Sequence, residues 1–65
     1  MSETDLFPCT LDEMIAELER EIALREVVYP RWVAEKKMRQ HKADECMRRI
    51  RAALRTLQSL RDNPK

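Results

Sequence analysis

The 65-residue chain contains no glycine, three prolines, two cysteines, one histidine and three aromatic residues. Without glycine, the tight turns of sandwiches and small barrels are hard to make, so an all-β fold is not expected. The one histidine, His41, and the widely separated Cys9 and Cys46 do not make a four-ligand zinc set within one subunit. No stretch carries a catalytic or metal-binding signature, and no cofactor is implied. There is also no apolar run of leader or membrane-spanning length. The expectation is a cytoplasmic protein whose reduced cysteines act as small packing residues and whose partners do not include a membrane.

Charge is abundant: 38% of the residues are Asp, Glu, Lys or Arg, which together with the lack of glycine suits long helices. The expected class is all-α. The charge is unevenly placed. Residues 1–30 hold eight acidic and two basic side chains, a net of −6, whereas residues 31–65 hold eleven basic and four acidic ones, a net of +7. An acidic helix and a basic helix folded against each other account for this most simply. A chain this short buries little apolar surface by itself, so oligomerisation is expected as well.

Residues 1–10 have no helical period and read as an extended arm. Thr10-Leu11-Asp12-Glu13 matches a capping box, which starts a helix at Leu11. The apolar stripe then runs through Leu11, Met14, Ile15, Leu18 and Ile22 to Tyr29, Trp32 and Val33. At about 100° per residue it keeps its phase across Pro30. Proline inside a helix costs roughly 3 kcal/mol, so a break at Tyr29 with Pro30 opening the second helix is the alternative. Continuous phase instead predicts one helix over about 11–35, kinked at Pro30. Ala43, Cys46, Met47, Ile50, Ala53, Leu54, Leu57 and Leu60 form a second stripe, ended by Asn63-Pro64. It predicts a helix over about 40–61, flanked by Asp44–Arg48 and Glu45–Arg49 pairs. The turn falls at Lys36-Lys37-Met38-Arg39, a segment with no residue suited to turning. A hairpin domain over 11–62 and a short tail over 63–65 complete the layout.

Two helices with charged outer faces offer little concavity, and an enzyme is not expected. His41 with Asp44 and Glu45 reads as polar residues at a helix start. Arg48, Arg51 and Arg55 share one flank of the second helix and suit a phosphate backbone, but Asp44 and Asp62 dilute that flank. Leu24 and Val27 point more than about 100° from the main stripe, and Val28 lies at its margin, so a lone hairpin leaves them in water. Two hairpins joined as a four-helix bundle would cover them. The expected core and dimer contacts are Leu18, Ile22, Leu24, Val27, Val28, Met47, Ile50, Leu54 and Leu57. Tyr29, Arg31 and Trp32 combine the residue types enriched at interface hot spots and are the expected partner contact, with Arg48, Arg51 and Arg55 as an electrostatic rim.

The segment Glu17-Leu18-Glu19-Arg20-Glu21, followed by Val28-Tyr29-Pro30-Arg31-Trp32-Val33 and by Ala43-Asp44 through Ile50, resembles small bacteriophage and prophage proteins with a V-Y-P-x-W-V motif. The resemblance covers about residues 17–54. It departs at the turn, where relatives often carry glycine and this chain has Lys36, Lys37 and Arg39. The resemblance implies a phage origin, action in the host bacterial cytoplasm, and a helical hairpin with proline inside its first helix. Small phage proteins often bind and inhibit host machinery, including transcription regulators such as quorum-sensing activators. The expected function is therefore stoichiometric inhibition of a host protein by a homodimer. A nucleic-acid-binding accessory role and a structural role in the phage are the other two classes.

Overall fold

Thr10, in extended conformation (φ −75°, ψ 165°), is the N-cap of the first helix. Its hydroxyl accepts from the Glu13 amide at 3.1 Å, and the Glu13 carboxylate accepts from the Thr10 amide at 2.8 Å. This is the capping box, with Asp12 and Glu13 placed at the positive end of the helix dipole. In the computed structural model, which describes residues 9–63, α1 spans Leu11–Ala34 and α2 spans Gln40–Asp62. The arm expected at the N-terminus, apart from its last two residues, and Pro64 of the stop signal lie outside the described residues.

Helix α1 runs through Pro30, which removes the alternative in which Pro30 opens the second helix. Pro30 has no amide to give to the Glu26 carbonyl, so the ladder lacks one bond there. Burial holds the helix together across the gap: Tyr29 before the proline and Val33 after it are both half-buried.

The turn is solved without glycine. Glu35 donates its amide to the Arg31 carbonyl at 2.9 Å, Lys36 to Val33 at 3.0 Å and Lys37 to Trp32 at 2.8 Å. The last two bonds form a Schellman motif, whose pivot sits in the left-handed region that favours glycine. Here the pivot is Lys36, at φ 63°. Helix α2 then starts on Arg39, which makes no side-chain cap, and has no acidic residue in its first turn. Asp44 and Glu45, read from the sequence as helix-start residues, lie just beyond that turn. Packing against α1 therefore has to hold α2 in place.

The helices are antiparallel. Asp12 meets Arg61 at 3.5 Å near the open end, and Glu26 meets Arg51 at 2.7 Å nearer the turn. Between them lies a thin seam in which Ile15, Ala43 and Ile50 are the buried apolar residues. Leu18 and Ile22 on α1 and Met47, Leu54 and Leu57 on α2 are only half-buried. Leu24 and Val27 remain 57% and 63% exposed, as their angle to the stripe predicts. Leu60 and Ala53 differ from expectation: both belong to the heptad-like stripe, yet both are exposed, because they lie at its far edge and α1 does not reach them.

Most ion pairs are local to one helix, including Glu17–Arg20, Glu21–Arg25 and Glu45–Arg49. The expected Asp44–Arg48 pair is replaced by a 2.9 Å bond from the Gln40 side chain to Asp44. Among the described residues, Asp12–Arg61 and Glu26–Arg51 are the ion pairs that join the helices. Much of the charge asymmetry is thus left unused within the chain.

Two substitutions test this account in thermal melts followed by circular dichroism. Lys36→Gly relieves the left-handed pivot and stabilises the hairpin by about 0.5–1 kcal/mol, raising Tm by a few degrees. Ile50→Ala opens the seam and destabilises it by about 2–4 kcal/mol.

Candidate functional site

Beside the seam, toward the turn, lies an open groove of about 610 Å³. Pro30 on α1 and Ala43 and Ala52 on α2 line it, and Tyr29, Val33 and Met47 complete an apolar floor. Arg25 and Glu26 rise along the α1 edge; Arg48, Arg51 and Arg55 rise along the α2 edge, with Gln40 and Asp44 nearer the turn. The arginines share an edge because 48, 51 and 55 are spaced i, i+3 and i+7 on a helix.

A ladder along α1 stiffens the floor. Arg25 Nε donates to Glu21 Oε2 at 2.9 Å, its guanidinium lies 5.7 Å from the centre of the Tyr29 ring, and that ring lies 5.9 Å from Trp32 at a tilt of 32°. The bond to Glu21 holds the Arg25 pKa above its ordinary value, against an opposing effect of partial burial. Each rung is spaced three or four residues from the last, so the helix itself sets the geometry.

The chain matches no family model, no curated protein and no solved structure. The groove is therefore interpreted from its own chemistry. Of the partner contacts expected from sequence, Tyr29, Arg48, Arg51 and Arg55 come together around it, whereas Arg31 and Trp32 do not line it. Trp32 stands at 40% exposure on the shoulder beyond Tyr29. Helical spacing puts Arg31 on the outer face of α1, near Leu24 and Val27.

The rim arginines are not equivalent. Arg25 is engaged by Glu21 and Arg51 by Glu26. Arg48 and Arg55 are exposed and, among the described residues, have no ion-pair partner. The groove thus combines an apolar floor with two uncommitted guanidinium groups. Its lining contains no histidine, serine or cysteine. The trio at the start of α2 does not converge either: His41 is exposed, Asp44 is held by Gln40, and Glu45 faces Lys42 at 3.8 Å and Arg49 at 3.2 Å.

Sequence reasoning missed Arg25, Glu26 and Gln40. The signal for Arg25 was present in the Glu21, Arg25, Tyr29 spacing of four. The Glu26–Arg51 contact depends on inter-helix register, which no local spacing reveals. A double-mutant cycle with Arg25→Ala and Tyr29→Leu, read by chemical denaturation, is expected to give a coupling of about 0.5–1 kcal/mol, the range for a partly exposed cation–π pair.

Proposed function

We infer that this chain is a homodimeric protein-binding module that acts by stoichiometric attachment to a host protein and blocks its action. The carrying observation is the imbalance between a seam of few buried residues, Ile15, Ala43 and Ile50, and the large exposed apolar side chains Leu24, Val27, Trp32 and Leu60. A lone hairpin with that balance is poorly stabilised, and association is the usual remedy.

The exposed apolar residues sort by helical spacing. Trp32 on α1 and Ala53 and Leu60 on α2 fall on the flank opposite the groove, beside the half-buried Val28 and Leu57, with Leu24 at its outer edge and Val27 beyond it. That flank suits a twin, and two hairpins joined there form a four-helix bundle. The groove flank, with Tyr29 and the arginines, is then free for another protein. The V-Y-P-x-W-V resemblance supports a phage protein working in the host bacterial cytoplasm, with a transcription regulator such as a quorum-sensing activator as one type of target. No helix among the described residues is long and apolar enough to cross a membrane.

Nucleic acid is the second reading, favoured by the grouping of Arg48, Arg51 and Arg55 on one rim. The apolar floor beneath them and the carboxylates of Glu26 and Asp44 beside them weigh against it.

Light scattering is expected to give twice the 7.8 kDa chain mass, and Leu60→Glu with Val28→Glu to return the monomer. Affinity capture from host lysate is expected to retain a stoichiometric partner that Tyr29→Ala loses while helicity and dimer mass persist. Binding that instead falls steeply with salt and follows oligonucleotides would support the second reading.

A further inference from the structure

We propose that the groove between α1 and α2 receives an acidic amphipathic helix of the partner, running antiparallel to α2, with two carboxylates spaced i and i+7 bound by Arg55 and Arg48 and the apolar residues that follow them, at i+10 and i+11, seated on Tyr29, Val33 and Met47. The proposal rests on the protein-binding reading above and names the chemistry of the bound segment.

Charge complementarity selects the occupant. Glu26 is already neutralised by Arg51 at 2.7 Å, and Asp44 is bound by Gln40 at 2.9 Å. Arg25 is held by Glu21 at 2.9 Å. What remains open on the rim is Arg48 and Arg55, two guanidinium groups whose ordinary partners are carboxylates or phosphates. Their backbone separation along α2 is about 10.5 Å, the rise over seven helical residues. A guest helix lying alongside α2 offers carboxylates at the same separation when they are seven residues apart. Its side chains at i+10 and i+11, on the same face, then lie beyond Arg48 toward the turn, where Tyr29, Val33 and Met47 make the floor apolar. A groove of about 610 Å³ accommodates that small cluster of side chains. A phosphate backbone would satisfy the arginines but leave Tyr29, Val33 and Met47 without apolar cover.

A second copy of the chain does not fit the same description. Its own acidic helix carries Asp12, Glu19 and Glu26 at the i, i+7 spacing. The apolar residues between them, Ile15 and Ile22, are committed to its own seam: Ile15 is buried and Ile22 half-buried. Asp12 and Glu26 are also engaged, by Arg61 and Arg51. The guest must therefore bring carboxylates and apolar residues on the same helix face, both free.

The test uses the full-length protein and three probes. The first is a synthetic amphipathic helical peptide of roughly 18 residues, long enough to be helical, with Glu at i and i+7 and Leu at i+10 and i+11. The second is the same peptide with Gln in place of both Glu. The third is a single-stranded oligonucleotide. Binding is measured by titration calorimetry and by shifts of the Met47 and Val33 methyl resonances. The expected result is saturable binding of the Glu peptide that moves both methyls, with the Gln peptide at least about tenfold weaker. Arg48→Gln with Arg55→Gln is expected to erase that difference. Both arginines are exposed, so circular dichroism should show unchanged helicity; if the double variant fails to fold, the Glu-against-Gln comparison on the wild type still decides.

Equal binding of the two peptides, discrimination that survives in a folded double variant, or oligonucleotide binding that displaces the Glu peptide would each overturn the proposal. Its failure is separable from that of the broader reading. If the Glu peptide fails but a captured host protein still depends on Tyr29, the groove's guest is of another chemistry and the protein-binding function stands. If no host partner is retained while the Glu peptide binds with the predicted discrimination, the groove assignment stands and the host-directed function falls.

Discussion

A two-helix hairpin can bury only one seam, and everything else in this molecule follows from how narrow that seam is. With Ile15, Ala43 and Ile50 as its buried residues, the interior contributes far less than the core of a layered domain of equal length. Local devices therefore carry unusual weight. The capping box fixes where α1 begins, the Schellman turn fixes where it ends, and two cross-helix ion pairs fix the register. Each is a small contribution, and exposed ion pairs contribute least. Together they specify one hairpin rather than an ensemble of slipped ones.

The same narrowness leaves both flanks of the hairpin available. One flank exposes Trp32 on one helix and Ala53 and Leu60 on the other, among charged side chains. The opposite flank carries the groove, with its mixed lining of arginine and apolar side chains. Tyr29, which lines the groove, and Trp32, which does not, lie about 60° apart around α1 and pack with ring centres 5.9 Å apart.

Much of the architecture was legible because it is local. Thr10 and Glu13 announce the start of α1 by their spacing, and the stripe's unbroken phase from Ile22 to Val33 shows that Pro30 does not end it. The second stripe locates α2 to within a residue at each end. What escaped depends on register or on geometry no pattern encodes. Leu60 and Ala53 fit the heptad but sit where α1 no longer covers them. Nothing in the composition of 36–39 announced that a lysine would occupy the left-handed pivot. For the site, the arginine edge was visible as spacing on one helix. The floor was not, since it exists only once Tyr29 and Val33 of α1 are set beside Met47 of α2. Grouping Tyr29, Arg31 and Trp32 by nearness in sequence also failed to separate three directions on a helix.

The two ends of the hairpin are held by different kinds of restraint. At the open end nothing covalent joins the helices, and Asp12 and Arg61 meet there at 3.5 Å in a solvent-exposed pair that contributes little. At the other end the chain itself joins the helices, and Glu26 and Arg51 reinforce the junction at 2.7 Å. Thermal opening therefore proceeds like a zipper from the termini, with local unfolding free energy rising toward the turn. The groove lies at the end that opens last. The side chains that line the groove are thus the ones least disturbed by fraying at the termini.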